Sequence, residues 1–241
     1  MTNNCLLIRL SGSCVNLNPK ISVILPVYSG ISFLNRAISS LIKSRFSGEL
    51  LIIENGSTEI DLEKIYFDFE IDFDIKYFHI VNNSVSSARN LGIRQATFSV
   101  LTFLDVDDEF NSNRLNHVSS AIPNQTFVIG TQEIRSEGNE LGTSIKARIN
   151  ALGVPAYHPI TIIAAKVDLE RIGGFDENLG HGGDLDLIAR LISIGLKPCY
   201  VDEVFVVRHF HTLNLTNQIL NSRKGMYTVL RKHVKGVYDH G

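Results

Sequence analysis

Hydrophobic positions along this chain alternate between two rhythms. Ile21-Ser22-Val23-Ile24-Leu25 is a short β-branched run stopped by Pro26, which predicts a buried strand. From Ile31 to Ser44 the apolar residues Ile31, Leu34, Ala37, Ile38, Leu41 and Ile42 recur at helical spacing. Glu49 to Ile53 reads as a second buried strand, ended by Asn55-Gly56-Ser57. The pattern then predicts a helix over 61–69 and a strand over 75–81. A second helix over 86–96 turns Ala88, Leu91, Ile93 and Ala96 inward, and a strand over 98–104 runs straight into Asp105-Val106-Asp107-Asp108. Beyond it, 126–134 and 164–167 read as strands and 175–182 as a loop. A helix follows over 184–194, a strand over 197–207 and a mostly helical stretch over 213–238.

Strand and helix alternate through the first half, which favours parallel strands joined by right-handed crossovers with helices on both faces. The expected class is α/β, a mostly parallel, Rossmann-like sheet flanked by helices. In such sheets ligands sit beyond the carboxyl ends of the strands. Tyr28-Ser29, Glu54-Asn55 and Asp105 to Asp108 follow three such ends and should converge on one crevice. Residues 1–19 read as an N-terminal arm, 20–216 as the folded domain and 217–241 as a basic C-terminal helix or tail.

Composition narrows the function classes. At 241 residues, 44% apolar and 20% charged, the chain suits one globular domain. Lys plus Arg is 23 against 25 Asp plus Glu, a net charge of −2, which excludes nucleic-acid binding by bulk positive charge. Three separated cysteines (Cys5, Cys14, Cys199) without CxxC suggest a reducing compartment. Cys5-Leu6-Leu7-Ile8 is too short for a signal-peptide core, and the uncharged run 150–165 is broken by prolines and a histidine, so a cytoplasmic protein is expected. No P-loop, GxGxxG or Gly-x-Ser-x-Gly pattern is present.

Among the candidates for chemistry, Asp72/Asp74 lies in an alternating stretch and should face water. Asp105/Asp107, with Asp108 beside it, is held at a strand end. Such oxygen ligands suit Mg²⁺ or Mn²⁺ shared with substrate phosphates, or else cap the next helix. Arg89 near a helix start could fork a phosphate or bridge to Asp105. Asp184, after Gly182-Gly183, could be a helix N-cap, a general base, or both. In His209-Phe210-His211 both histidines face one side if the strand continues, and His211 could supply a nitrogen ligand to a cation at Asp107. From Val204 to Tyr238 there is no acid but Arg208, Arg223, Lys224, Arg231, Lys232 and Lys235. That basic stretch is either a membrane-surface contact or a solvated face.

Six segments in order resemble glycosyltransferase family 2, with its GT-A nucleotide-sugar fold. They are Ile21 to Tyr28, Leu51 to Thr58, Ala88 to Ile93, Phe103 to Asp108, Ile172 to Glu177 and Asp184 to Leu187. The resemblance implies an inverting, metal-dependent transfer of one sugar from a nucleotide-sugar, a UDP-sugar by preference, to a hydroxyl on a glycan or glycolipid. Pro26, Val27, Tyr28, Glu54, Asn55, Arg89 and Asp105 would meet the nucleotide, Asp107 and His211 the cation (Mn²⁺ or Mg²⁺), and Asp184 would be the base. His158, Gly183 and Asp108 would lie toward sugar or acceptor. Such an enzyme would work in the cytoplasm, with a peripheral contact at the inner membrane face through the basic C-terminal helix. Three positions depart from the family pattern: Asn55 where relatives have Asp, Gly183 where they have Glu, and Ser84 where they have Gly. Asn55 and Gly183 leave a catalytically degenerate nucleotide-binding or interaction protein of the same fold as the alternative. No Gln-x-x-Arg-Trp segment occurs, and the chain has no tryptophan, so the resemblance is to single-addition enzymes.

Overall fold

The computed structural model describes residues 19–28, 30–56, 60–61, 68–81, 84–121, 123–136, 157–179 and 182–210. All of the expected arm over 1–19 except its last residue, most of the helix over 61–69, His211 and the C-terminal helix or tail over 217–241 lie outside them.

The first half follows the predicted alternation. Strand β1 (Ile21–Val27) leads through a 3-10 turn, Ile31–Phe33, into helix α1 (Leu34–Ser44). Strand β2 is Gly48–Glu54 and β3 Asp74–His79. Helix α2 (Val85–Gln95) then leads to β4 (Val100–Phe103). β1, β2, β3 and β4 are mutually parallel, in the order β3-β2-β1-β4. Alternate residues of the central strands are buried on opposite faces. Val23, Leu25, Leu50 and Ile52 pack with α1, while Ile24, Leu51 and Ile53 pack with α2. A strand covered on both faces reads as a continuous apolar run, which is why the pattern was legible. Pro26 sits inside β1 without cost, because the β4 ladder already ends at Ile24↔Phe103.

The second half is more mixed than the sequence predicts. A two-residue strand β5 (Glu109–Phe110) and a 3-10 helix, Ser112–Ser120, follow the aspartate turn. β6 is Thr126–Ser136. β7 (Ile162–Ala165) stops where a short helix α3 (Lys166–Arg171) starts, so Lys166 and Val167 are helical rather than the end of a strand. Helix α4 is Gly183–Ser193, and β8 extends over Lys197–Phe210. The sheet continues β4-β7-β6-β8-β5, with β7 antiparallel to both neighbours and β6 parallel to β8. This places β4, the start of β7 and the end of β8 around one edge.

At the opposite end a buried carboxylate ties strands together. Glu49 accepts from the Ser22 hydroxyl at 2.6 Å and pairs with Lys76 at 2.7 Å. Burial pushes its pKa up, but Lys76 and the hydrogen bonds from Ser22 and Thr97 outweigh it and hold it below the usual value.

Candidate active site

Asp105 lies two residues past the end of β4, and the Asp108 amide donates back to its carbonyl at 3.1 Å, closing a turn over Asp105–Asp108. Arg89, on α2, donates from Nη2 to Asp105 Oδ1 at 2.8 Å. Of its two sequence readings the structure shows the bridge to Asp105. The same guanidinium stacks over Phe175 at 5.4 Å and places Nη1 3.9 Å from Asp184 Oδ1. On the other side His158 Nε2 lies 3.7 Å from Asp184 Oδ2. Both distances are too long for hydrogen bonds: the Arg89 contact is a long ion pair and the His158 contact a polar approach of a ring nitrogen. Four residues spread over 96 positions of sequence thus form one cluster.

Two family segments build the wall behind this cluster. Asn90 Oδ1 accepts from the Phe175 amide at 2.7 Å, and its Nδ2 donates to the Phe175 carbonyl at 2.9 Å and Glu177 Oε1 at 2.8 Å. Gly174 turns with φ of +70°, and a Cβ there would overlap Asn90 Oδ1. Only glycine lets the loop approach α2 so closely.

The plain N-cap reading of Asp184 is corrected. Gly182 caps α4 with φ of +83° and no side-chain bond, and Asp184 sits inside the first turn with its carboxylate between Arg89 and His158. Gly183 opens the helix, where an added Cβ would lie 3.9 Å from Ser86 Oγ. Asp186 is structural: it is fully buried and its Oδ2 takes Arg190 Nε at 2.7 Å.

On the nucleotide side Pro26 and Val27 are buried in β1, and Tyr28 beyond them is exposed. Glu54 is buried, with Oε1 accepting from the Gly56 amide at 2.7 Å and Oε2 joined to His79 Nδ1, so one oxygen serves the turn and the other ties it to the end of β3. Asn55 is buried, and its Nδ2 donates to the Ser84 carbonyl at 2.8 Å. A carbonyl can only accept, so the amide must turn its N–H₂ that way; an aspartate could not make this bond. Ser84 caps α2 from the extended region, φ −126°, and its Oγ accepts from the Ser87 amide. The turn therefore needs no glycine, and two of the three departures from the family pattern touch each other.

Charge is unevenly held. Burial works against ionised Asp105, yet Arg89, His158 and Arg208 outweigh it and hold that carboxyl below its usual range. Asp108 is pushed up to about 8 by burial, with Asp105 and Asp107 adding to the rise, even though Arg208 Nε is 3.7 Å from its Oδ2. His158 is pushed down to about 4, by burial first and by Arg208 and Arg89, against Asp184 and Asp105. It is therefore a neutral imidazole at neutral pH.

Arg208 is the site residue that sequence reading missed. It was counted with the basic C-terminal stretch, but β8 carries it in beside Asp108. Its neighbour His209 is buried, with Nε2 2.6 Å from Glu109 Oε1, so of the alternating pair one member serves the fold. His211 lies outside the described residues.

A divalent cation was tested against the donor set. Among the described residues no three His, Cys, Asp or Glu side chains group around one point. Asp105 is bridged to Arg89, and Asp108 faces Arg208 and the His209 amide. Asp107, like Asp105, is half-buried in this acid-rich turn. One carboxylate with substrate phosphate oxygens is an ordinary way to hold Mg²⁺ or Mn²⁺, and the repulsion among neighbouring acids, which adds to burial in raising Asp108, is what a cation would relieve. The residues fit the ion.

Comparison with known proteins places this geometry. The family model for glycosyl transferase family 2 matches residues 22–164. An uncharacterized glycosyltransferase of Rickettsia conorii is 33% identical over 73% of this chain and 31% of its own length. One of Rickettsia bellii is 31% identical over 66% of this chain and 24% of its own. The chain thus spans a third or less of these relatives. Among solved structures, Staphylococcus aureus TarS in complex with UDP-GlcNAc superposes with TM-score 0.65 at 18% identity, over 87% of this chain and 65% of that one. The mannosyltransferase PcManGT from Pyrobaculum calidifontis, in complex with GDP-Man and Mn²⁺, gives TM-score 0.72 at 15% identity, over 90% and 64%. Among the described residues no helix is long and apolar enough to cross a membrane. With the family match over more than half its length and a sheet that superposes on these transferases, the chain belongs to glycosyl transferase family 2 and has the GT-A fold.

Proposed function

We propose that this chain is an inverting glycosyltransferase that moves one sugar from a nucleoside-diphosphate sugar to a hydroxyl of a glycan or glycolipid. The observation that carries it is Asp184, presented at a helix start between Arg89 and His158, with Arg89 fixed to Asp105.

Asp184 takes the proton of the acceptor hydroxyl as that oxygen attacks the anomeric carbon. The new C–O bond forms as the bond to the diphosphate breaks, configuration inverts, and the proton ends on the Asp184 carboxyl. Its contacts at 3.7 and 3.9 Å orient the carboxylate without spending its lone pairs on short hydrogen bonds. Neutral His158 does not compete as a second cation. Arg89 keeps Asp105 ionised and aimed at the donor. Asn55, its N–H₂ fixed on Ser84, directs its amide oxygen as the acceptor for a base N–H, which suits uracil. Asp107, with diphosphate oxygens, would hold the Mn²⁺ or Mg²⁺ that neutralises charge on the departing diphosphate.

Calorimetric titration with UDP and GDP, with and without Mn²⁺, followed by donor turnover, tests this reading. Metal-enhanced binding of UDP is expected. Asp184→Asn should bind nucleotide as the wild type does and lose transfer by about 10²- to 10⁴-fold. Nucleotide binding with no turnover of any donor would support the degenerate alternative, and wild-type turnover by Asp184→Asn would remove the base assignment.

A further inference from the structure

Arg36 has no part in the reading above, yet it reaches the aspartate turn. It lies in the first turn of α1 and donates from Nη2 to the Asp107 carbonyl at 2.7 Å, across 71 positions of sequence. Its guanidinium also covers the Phe33 ring at 5.0 Å. Phe33 in turn donates its amide to the Gly30 carbonyl at 2.8 Å. Gly30 has φ of +79°, and a Cβ there would stand 3.1 Å from the Phe33 ring and 3.8 Å from Val106 Cγ1. Gly30, Phe33, Arg36, Val106 and Asp107 therefore form one packed unit. It joins the loop after β1, where the nucleotide would lie, to the turn after β4, where the cation would lie.

We propose that Arg36 is a positioning residue that couples these two loops and so sets how strongly a divalent cation strengthens nucleotide binding; the inference rests on the donor-binding reading above. The turn is closed on its inner side by the Asp108 amide on the Asp105 carbonyl. The Asp108 N–H shares one rigid peptide plane with the Asp107 carbonyl, so this bond holds only one side of that peptide. A charged donor on the Asp107 carbonyl fixes that peptide and with it the direction in which the Asp107 side chain leaves the backbone. Seated on Phe33, the guanidinium moves with the β1 loop, so ordering of one loop is felt by the other. Arg36 acts through Asp107 and touches no reacting atom.

The test is calorimetric titration with UDP, with and without Mn²⁺, on the wild type, Arg36→Met and Arg36→Lys, with a thermal melt of each. Met keeps the apolar cover over Phe33 and removes the donor; Lys keeps a cationic donor of shorter reach. The expected result is that Arg36→Met keeps the wild-type melting temperature and metal-free UDP affinity, while the gain in affinity on adding Mn²⁺ falls by about tenfold or more. Arg36→Lys should recover part of that gain. If the wild type shows the gain and Arg36→Met shows it undiminished, the coupling is overturned. If Arg36→Met loses melting temperature and metal-free affinity together, Arg36 is a packing residue and the coupling is likewise overturned. If the wild type binds UDP no better with Mn²⁺ than without, the metal part of the functional reading fails first, and the coupling with it.

Discussion

At the residue scale the site is governed by how few of its charges are matched one to one. His158 shows this most directly. Its folded pKa, about 4, lies below the ordinary value of 6.5 because burial and two arginines outweigh two aspartates. Between those values the unfolded chain binds a proton that the folded chain refuses, so this residue makes stability rise with pH from about 4 to 6.5 and contributes no slope above. Asparagine would keep the N-cap role that His158 plays before Pro159 and would not titrate. Urea unfolding of wild type and His158→Asn at several pH values should show their difference moving in favour of the wild type across that window. The slope should be no more than about 1.4 kcal/mol per pH unit, and smaller insofar as the half-buried ring is screened by water. A flat difference would show that the imidazole is not desolvated. Asn55 makes the complementary point. Its identity looks like a lapse from a family aspartate in sequence, and becomes a hydrogen-bond requirement once Ser84 is seen opposite it.

At the element scale the legible parts of the fold are those with a strong period. β1, β2 and α1 are readable because both faces of the sheet are covered, leaving unbroken apolar runs and a clean helical stripe, whereas α2 buries Ser86, Ser87, Arg89 and Asn90 beside Ala88 and Ile93. β5 is not readable, since two residues carry no period. α3 was read partly as strand because Lys166 and Val167 continue a β-like run until the chain turns. Of the residues that the structure clusters in the proposed site, Arg89, Asp105 and Asp184 are marked in sequence by their positions at strand and helix ends. Arg208 was missed because the basic composition of its surroundings outweighed the strand alternation that turns it inward. Close element contacts were also invisible in one dimension. Gly92 lies in the interior of α2, where glycine costs a helix about 1 kcal/mol relative to alanine. A Cβ there would overlap Ile24 Cγ2 and stand 2.9 Å from its Cγ1 on β1. Gly92→Ala should therefore destabilise by up to about 2 kcal/mol, overpacking of roughly 1–3 kcal/mol exceeding the helix gain of about 1 kcal/mol. In an Ile24→Ala background the same change should become neutral or stabilising, a coupling that denaturant melts of the four proteins measure directly. A stabilising Gly92→Ala in the wild type would mean that α2 does not rest this close to β1.

At the scale of the whole molecule one buried cation holds together the segments that carry the site. Arg114, on the 3-10 helix after β5, is the largest fully buried side chain among the described residues. Its Nη1 donates to the Thr102 hydroxyl at 2.8 Å and the Phe103 carbonyl at 3.0 Å, and its Nη2 to the carbonyls of Phe205, at 2.8 Å, and Ile160. Phe110 and Phe205 lie against the guanidinium at 4.5 and 5.6 Å. Burial alone pushes its pKa down to about 9, and among the described residues no carboxylate pairs with it. Phe103 precedes Asp105 by two residues, Ile160 follows His158 by two, and Phe205 precedes Arg208 by three. Each of these three segments is thus tied to the guanidinium through a neutral oxygen rather than through one of the acids of the aspartate turn. A carboxylate partner would have been the cheaper way to bury an arginine, but it would have fixed one segment rather than three. Replacing Arg114 with methionine fills much of the volume while leaving those oxygens without donors. It should cost about 3–5 kcal/mol in urea unfolding, in contrast to buried ion pairs, which apolar residues often replace without loss. A neutral or stabilising Arg114→Met would show that the three segments hold their positions by packing alone, and that the site does not depend on this clamp.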